Sequence, residues 1–145
     1  MFARQSALAL VIVLLTASLA WAALAPISPG SRDELFEIPS GTWARRAAGE
    51  KIEILPDRIT LTLGANDVLL LRNLDQAPQV FGPALIMPGQ SFRLPFEVAS
   101  SYSFACTAHA SGQMTVLVQP KPAPGWPRLR WRLGAAMKSI QGLRA

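Results

Sequence analysis

The sequence predicts an all-β domain, an antiparallel β-sandwich, with one helix near each end of the chain. Turn-forming residues such as Pro56 with Asp57 and Pro88 with Gly89 separate short apolar runs through the middle of the chain. No helical periodicity lies between these runs, and short strands at this spacing are typical of sandwiches and barrels. The runs that predict strands are residues 52–54, 59–63, 68–71, 91–94, 96–98, 102–104 and 115–118.

The segment 1–25 is predicted to form a signal peptide or a membrane anchor helix. Arg4 precedes an apolar run over residues 7–25, which is near the lower length limit for a helix that crosses a bilayer. The small residues Ala20 and Ala22 also fit the cleavage site of a signal peptide. Both alternatives export the rest of the chain. We therefore expect a protein anchored on the periplasmic or extracellular face, with secretion after cleavage as the alternative.

The charge is distributed unevenly along the chain. The formal net charge is +5, but the last 25 residues carry six basic residues and no acidic one. The other 120 residues hold eight basic and nine acidic residues, so the basic character belongs to the tail. With the positions of the turn-rich stretches, this predicts a linker and edge segment over 26–49, a β domain over 50–119, a Pro-rich spacer over 120–127 and a basic tail over 128–145.

The basic tail is predicted to be a short amphipathic helix that begins at Pro127, a residue tolerated at the first helical position. A basic amphipathic helix with tryptophans suits a membrane surface or a groove on a protein partner. A solvated tail is the alternative, and nucleic acid is not an expected partner of an exported chain. The residues predicted to bind the membrane or the partner are Trp126, Arg128, Arg130, Trp131, Arg132 and Lys138.

One loop holds the only cysteine and the only histidine of the chain, Cys106 and His109, and Met114 follows them. A predicted strand precedes this loop and another follows it. A thiolate, an imidazole and a thioether form a soft ligand set of the kind that selects copper. Taken singly, each residue has an ordinary alternative: a buried free Cys, a hydrogen-bonded loop His and a Met in the core.

This loop, the stretch 73–83 between two predicted strands and the segment 88–91 together resemble the cupredoxins, the plastocyanin-like blue-copper proteins. In that family three copper ligands come from a Cys-x2-His-x4-Met loop between the last two strands, and Cys106, His109 and Met114 match its spacing. The resemblance covers roughly residues 50–119. It implies a cupredoxin-like β-sandwich with Greek-key connections.

One position departs from the family pattern. Gln79 stands where the resemblance implies the first copper-binding His, and the chain has no second His. A type 1 copper site needs two imidazoles and a thiolate in its plane, and an amide oxygen is a harder and weaker donor. We therefore expect no bound copper, with copper held by Cys106, His109, Met114 and Gln79 as the alternative. The amide of Gln79 is expected to hydrogen-bond His109 across the site.

These features predict a protein that is not an enzyme. A single His allows no histidine metal cluster, and the sequence contains no Gly-rich phosphate loop or dinucleotide fingerprint. The expected function is that of an exported, membrane-anchored accessory subunit, which docks on a membrane complex that transfers electrons. The alternative is a copper-binding electron-transfer protein that uses the ligands of the loop.

Overall fold

The computed structural model describes residues 2–27, 32–109 and 111–142, and their side chains except those of 2–7, 138, 141 and 142. The chain forms two compact units. The first, which we call the helical unit, combines Met1–Ile27 with Pro122–Ala145, and the second, the β unit, is Ser28–Lys121. The helical unit contains helices α1 (Phe2–Leu24) and α3 (Trp126–Gly142), and the β unit contains the short helix α2 (Thr42–Ala47).

The β unit contains three small sheets. One sheet has the strand order β1-β3-β6, a second has the order β2-β8-β7, and β4 with β5 forms a two-stranded sheet. The strands are β1 (Asp33–Ile38), β2 (Arg58–Thr62), β3 (Val68–Asn73), β4 (Gln79–Phe81), β5 (Ala84–Ile86), β6 (Ser91–Pro95), β7 (Ser101–Ala105) and β8 (Gln113–Gln119).

The sheets are mixed, so the predicted antiparallel arrangement is wrong for two strand pairs. Strand β1 pairs with β3 in parallel, and β2 pairs with β8 in parallel. The other three pairs are antiparallel. Alternating apolar residues show which side of a strand is buried, and this alternation is the same in parallel and antiparallel sheets. The sequence pattern therefore predicts which side of a strand is buried, but not the relative directions of paired strands.

The strand boundaries follow the predicted runs only in part. Five runs fall within or overlap strands, but within the described chain no strand covers residues 52–54 or 96–98. In both cases apolar side chains are buried without a partner strand: Leu55 and Phe96 belong to the core. Strand β1 lies in the segment 26–49 and pairs with β3, so the β unit begins before residue 50, the start given from sequence.

The core of the β unit is a cluster of buried aliphatic and aromatic side chains, to which the loop after β7 also contributes. Full burial of one such side chain stabilises a fold by about 1.5–3 kcal/mol. Phe81 and Phe104 pack with ring centroids 4.9 Å apart. Gly82 has a φ of +54°, and a Cβ at this position would lie 2.9 Å from the ring of Phe104. The backbone can follow this path only with glycine.

The buried carboxylate of Asp67 binds Arg32, the first described residue of the β unit. Asp67 is buried and pairs with Arg32 through two hydrogen bonds, and it also accepts the N–H of Gly64 at 2.8 Å. The hydrogen bond from Arg32 is the largest cause that lowers the pKa of Asp67 below its ordinary value. The folded state therefore favours the charged carboxylate.

The substitution Asp67→Asn is expected to lower the urea midpoint of unfolding near neutral pH, because Arg32 and Gly64 lose a charged acceptor. The pKa of Asp67 is lowered by folding, so this contribution is complete above the ordinary Asp pKa of about 3.9. It is lost as the pH falls through the lowered folded value. Urea titrations over a pH series should show the midpoints of variant and parent converging in acid.

The matched control is Glu37→Gln, which removes an exposed ion pair with Arg72. Exposed pairs of this kind contribute about 0–1 kcal/mol, so this variant should unfold close to the parent at every pH. A gap between Asp67→Asn and the parent that stays constant into acid would contradict the role given to the charge.

Candidate metal centre

Cys106 lies directly after β7 and is buried. Its N–H donates to the carbonyl of Gly112 at 2.9 Å, which closes the loop towards β8. Burial raises the pKa of the Cys106 thiol, while hydrogen bonds from the N–H groups of Ala108 and His109 and the charge of Arg46 act in the opposite direction. Burial is the largest of these effects, so the sulfur is a neutral thiol near neutral pH. A metal would have to displace its proton.

His109 and Met114 are both buried in the same loop and the strand that follows it. The Nδ1 atom of His109 lies 2.8 Å from the hydroxyl oxygen of Ser111. Its Nε2 atom lies 3.1 Å from Oδ1 of Asp57, but the N–H direction does not allow a hydrogen bond, and Nε2 has no hydrogen-bond partner among the described residues. Both ring nitrogens of His109 therefore face protein atoms.

Gln79, the first residue of β4, is 3 % exposed, and both ends of its amide are occupied. The hydroxyl of Thr107 donates to Oε1 of Gln79 at 2.8 Å. The Nε2 group of Gln79 points to Oδ2 of Asp75 at 3.4 Å. The expected hydrogen bond from Gln79 to His109 is therefore wrong, because the amide of Gln79 bonds Thr107 and Asp75 instead.

Asp75 links this site to helix α2. Its buried carboxylate accepts three backbone N–H groups, from Gly41 at 2.9 Å, Trp43 at 2.8 Å and Gln76 at 2.8 Å. Two of these groups belong to the N-terminal turn of α2, where backbone N–H groups have no partner within the helix. The carboxylate thus caps α2 from a distant part of the chain.

A second contact joins α2 to the Cys106 loop. Arg46, near the end of α2, donates a hydrogen bond to the carbonyl of Thr107. The hydroxyl of Thr107 also accepts the N–H of Val80 at 2.8 Å, and the N–H of Thr107 donates to the carbonyl of Val80 at 3.0 Å. We call Asp75, Gln79 and Thr107, with the groups they bond, the amide latch. The contacts of Thr107 and Arg46 were not predicted from the sequence. The one signal for them was the pair of basic residues Arg45 and Arg46 next to a turn.

The structure brings Cys106, His109 and Met114 into one buried loop and places Gln79 beside it through Thr107. Within the described residues, no group of three or more His, Cys, Asp or Glu side chains could hold a metal ion. A type 1 copper site needs a second imidazole, and the sequence has only one His. Oε1 of Gln79, the predicted substitute, already accepts a hydrogen bond, so the described donors do not complete such a site.

The residues predicted to bind a membrane or partner lie in the helical unit. Trp126 and Arg130 are exposed and Trp131 is partly buried, whereas Arg128 and Arg132 bond backbone carbonyls of residues 24–26. The side chain of Lys138 lies outside the described residues. Within the part of the chain that is described, no helix combines the length and the mean hydropathy needed for a membrane crossing.

Solved structures that are similar to this chain are cupredoxins. A purple cupredoxin from Nitrosopumilus maritimus is 21% identical over 60% of this chain and 100% of that protein, with a TM-score of 0.43. Amicyanin from Paracoccus versutus is 18% identical over 63% of this chain and 85% of its own, with a TM-score of 0.43. A mutant fern plastocyanin is 18% identical over 59% of this chain and 100% of its own, with a TM-score of 0.42.

These similarities concern the fold. No family model matches the sequence, and no curated protein matches it. The described strands form a β fold with mixed sheets, and the similar solved structures are cupredoxins. At these identities and TM-scores, the comparisons carry no argument about copper or about partners.

The amide latch is expected to stabilise the β unit. In Gln79→Met, Thr107 and the buried Asp75 each lose a hydrogen-bond partner, so the free energy of unfolding should fall by about 1–3 kcal/mol. Chemical denaturation followed by near-ultraviolet circular dichroism measures this change. The control Gln113→Met alters an exposed residue of β8 and should change stability by no more than about 0.5 kcal/mol. Equal effects of the two substitutions would exclude the latch.

Proposed function

We propose that this protein is an exported, membrane-held accessory subunit, whose cupredoxin-like domain is a metal-free docking module on a membrane electron-transfer complex. The single observation behind this proposal is the state of Gln79. Its amide is hydrogen-bonded at both ends, to Thr107 and Asp75, and the resemblance implies a copper-binding His at this position. A side chain in this arrangement serves packing and hydrogen bonding better than it serves metal ligation.

Three energetic terms oppose copper binding in this conformation. Turning the Gln79 oxygen towards a metal would break its hydrogen bond with the exposed Thr107 hydroxyl, which contributes about 0.5–1.5 kcal/mol. The thiol of Cys106, whose pKa is raised by burial, would have to lose its proton. His109 would have to release Ser111 or turn away from Asp57.

The docking role is supported by the two ends of the chain. Large apolar side chains of α1 and α3 are exposed, and exposed apolar surface of this extent usually marks a protein or membrane contact. The tail carries six basic residues and no acidic one, which favours an anionic surface. An accessory subunit needs such attachment, whereas a freely diffusing electron carrier does not.

A copper-binding electron-transfer protein is the second candidate, and one observation favours it. The backbone N–H groups of Ala108 and His109 act to lower the pKa of the Cys106 thiol, although burial raises it more. Hydrogen bonds of this kind stabilise a thiolate, which is the form that ligates a metal. This candidate would require the amide latch to open and Gln79 to act as a ligand.

The native metal content separates the two candidates. The full-length protein, purified from its own membranes, is expected to be colourless and to retain no stoichiometric copper after desalting, because the in-plane ligand set is incomplete. Metal analysis and a visible absorption spectrum measure this. An intense thiolate-to-copper band that disappears in Cys106→Ser would overturn the proposal in favour of the electron carrier.

The variant Gln79→His completes the experiment. An imidazole at this position restores the second in-plane nitrogen, so the variant should retain copper and turn blue while the parent stays colourless. The matched control is Gln113→His, which adds an imidazole at an exposed position of β8. Blue colour in the control, or in neither variant after copper loading, would show that the loop no longer has the geometry of a copper site.

Removal of residues 121–145 is expected to release the protein from its membrane complex, since the tail supplies the basic and apolar attachment surface. Native electrophoresis of gently solubilised membranes should show the full-length protein in a large complex and the shortened protein free. A chain that lacks only residues 143–145 is the control and should remain in the complex. Retention of both forms would remove the tail from the docking role.

A further inference from the structure

The C-terminal end of α1 is closed by groups from α3. A helix leaves its last four carbonyls without partners inside the helix. The N–H of Gly125, just before α3, donates to the carbonyl of Ala23 at 2.9 Å. Arg128 donates from Nη1 to the carbonyls of Leu24 at 2.9 Å and Ala25 at 3.0 Å. These bonds supply the partners that the end of α1 lacks.

Arg132 adds a second guanidinium one helical turn later. Its Nη2 group donates to the carbonyls of Ala25 and Pro26, both at 2.9 Å. Residues four apart lie on the same face of a helix, so Arg128 and Arg132 act together. Two positive charges at a helix C-terminus also interact favourably with the negative end of the helix dipole. We call Arg128, Arg132 and the carbonyls of 24–26 the arginine clasp.

The arginine clasp contains a buried positive charge, that of Arg128, which no carboxylate neutralises in the described structure. Arg128 is only 8% exposed, and no ion pair with a carboxylate is found for it among the described residues. Its charge is compensated by backbone carbonyls, and its Nε atom has no hydrogen-bond partner in the described structure. Burial of a charge on these terms is costly, so the inward position of this arginine needs a reason.

The reason lies on the opposite face of α3. Its apolar side chains point outward: Trp126 is 65% exposed, Leu133 54%, Met137 63% and Ile140 56%. The spacing of these four residues places them along a single stripe of the helix. A helix in water buries such a stripe and exposes its arginines. In α3 the stripe is exposed and Arg128 is buried, while Arg130 is exposed.

We propose that α3 lies in the interface of a lipid bilayer that contains anionic headgroups, with its apolar stripe in the acyl region and its clasp turned inward to α1. This inference rests on the membrane-held function proposed above and names the surface that holds the protein. The charge of the tail is complementary to such a surface, because the last 25 residues contain no acidic side chain.

Helix α1 supports the choice of lipid over water. Every large apolar side chain described between Leu8 and Leu24 is more than half exposed. The two polar side chains in this stretch bond their own helix: the hydroxyl of Thr16 donates to the carbonyl of Ile12 at 3.0 Å and that of Ser18 to Leu14 at 2.7 Å. Such a surface has no polar group that requires water. In the proposed arrangement, the exposed apolar side chains of α1 and of the α3 stripe both contact lipid.

Spin labels can test which medium meets each face of α3. In the full-length protein with Cys106→Ser, single cysteines are introduced as Met137→Cys on the stripe and Ser139→Cys as the matched site on the other side of the helix. The proteins are reconstituted in vesicles of phosphatidylethanolamine and phosphatidylglycerol. The label at 137 should be several-fold more accessible to oxygen than to a nickel chelate, and the label at 139 should show the reverse.

Two outcomes would overturn the proposal. Access of the nickel chelate to both labels would mean a solvated tail, and exclusion of both reagents from position 137 would mean that protein covers the stripe. The metal experiments on the β unit are independent of these results. Copper in the native protein would refute the metal-free function alone, and a water-exposed stripe would refute the interfacial helix alone.

The clasp has its own variant and control. Arg128→Gln with Arg132→Gln should free α3 from α1, so the label at 137 should gain mobility and its oxygen-to-nickel ratio should fall several-fold. The control Arg58→Gln with Arg93→Gln removes two exposed arginines of the β unit and should leave both values unchanged. Near-ultraviolet circular dichroism verifies that the β unit is folded. Identical label behaviour in the double variant and the control would overturn the clasp.

Discussion

The hydrogen bonds of one buried carboxylate, Asp75, determine how the rest of the candidate site is arranged. A buried charge is tolerated only when it is well bonded, and this one is met by three backbone N–H groups and the amide of Gln79. The bonds to α2 fix a segment that is distant in sequence. The bond to Gln79 continues through Thr107 to the Cys106 loop. A hydrogen-bonded network thus connects helix α2, strand β4 and the Cys106 loop.

The Cys106 loop has the ligand spacing predicted for a copper site, but its buried thiol favours the protonated form. The backbone N–H groups of Ala108 and His109 and the charge of Arg46 lower the pKa of the Cys106 thiol, which favours a thiolate. Burial outweighs them, so the pKa of Cys106 is raised overall. The loop can therefore keep its shape for packing, since Cys106 and Met114 both belong to the hydrophobic core.

The sequence predicted those parts of the protein that depend on local patterns. Alternating residues identified β2, β3, β6, β7 and β8, and the spacing of Cys106, His109 and Met114 identified the loop. It did not predict the parallel pairings or the bond between Thr107 and Gln79, because these depend on chain segments far apart. Gln79 and Thr107 are 28 residues apart, and Arg128 and Leu24 are 104 apart. A side chain's type limits what it can bond, but only the fold selects the partner, and so the inward direction of Arg128 and Arg132 could not be inferred from a basic stretch.

The two units bury opposite kinds of side chain, and this difference bears on where the protein functions. In the β unit the aliphatic and aromatic side chains form the core, as water requires. In the helical unit an arginine is nearly buried while leucine, tryptophan and isoleucine side chains are exposed. The hydrophobic effect opposes the second arrangement in water, but lipid tails are as apolar as leucine and impose no such cost. The exposed apolar surface of the helical unit is therefore the basis of the proposal that lipid covers this unit, whereas the β unit has the core expected in water. This basis is the polarity of the two surfaces and is independent of whether the Cys106 loop binds copper.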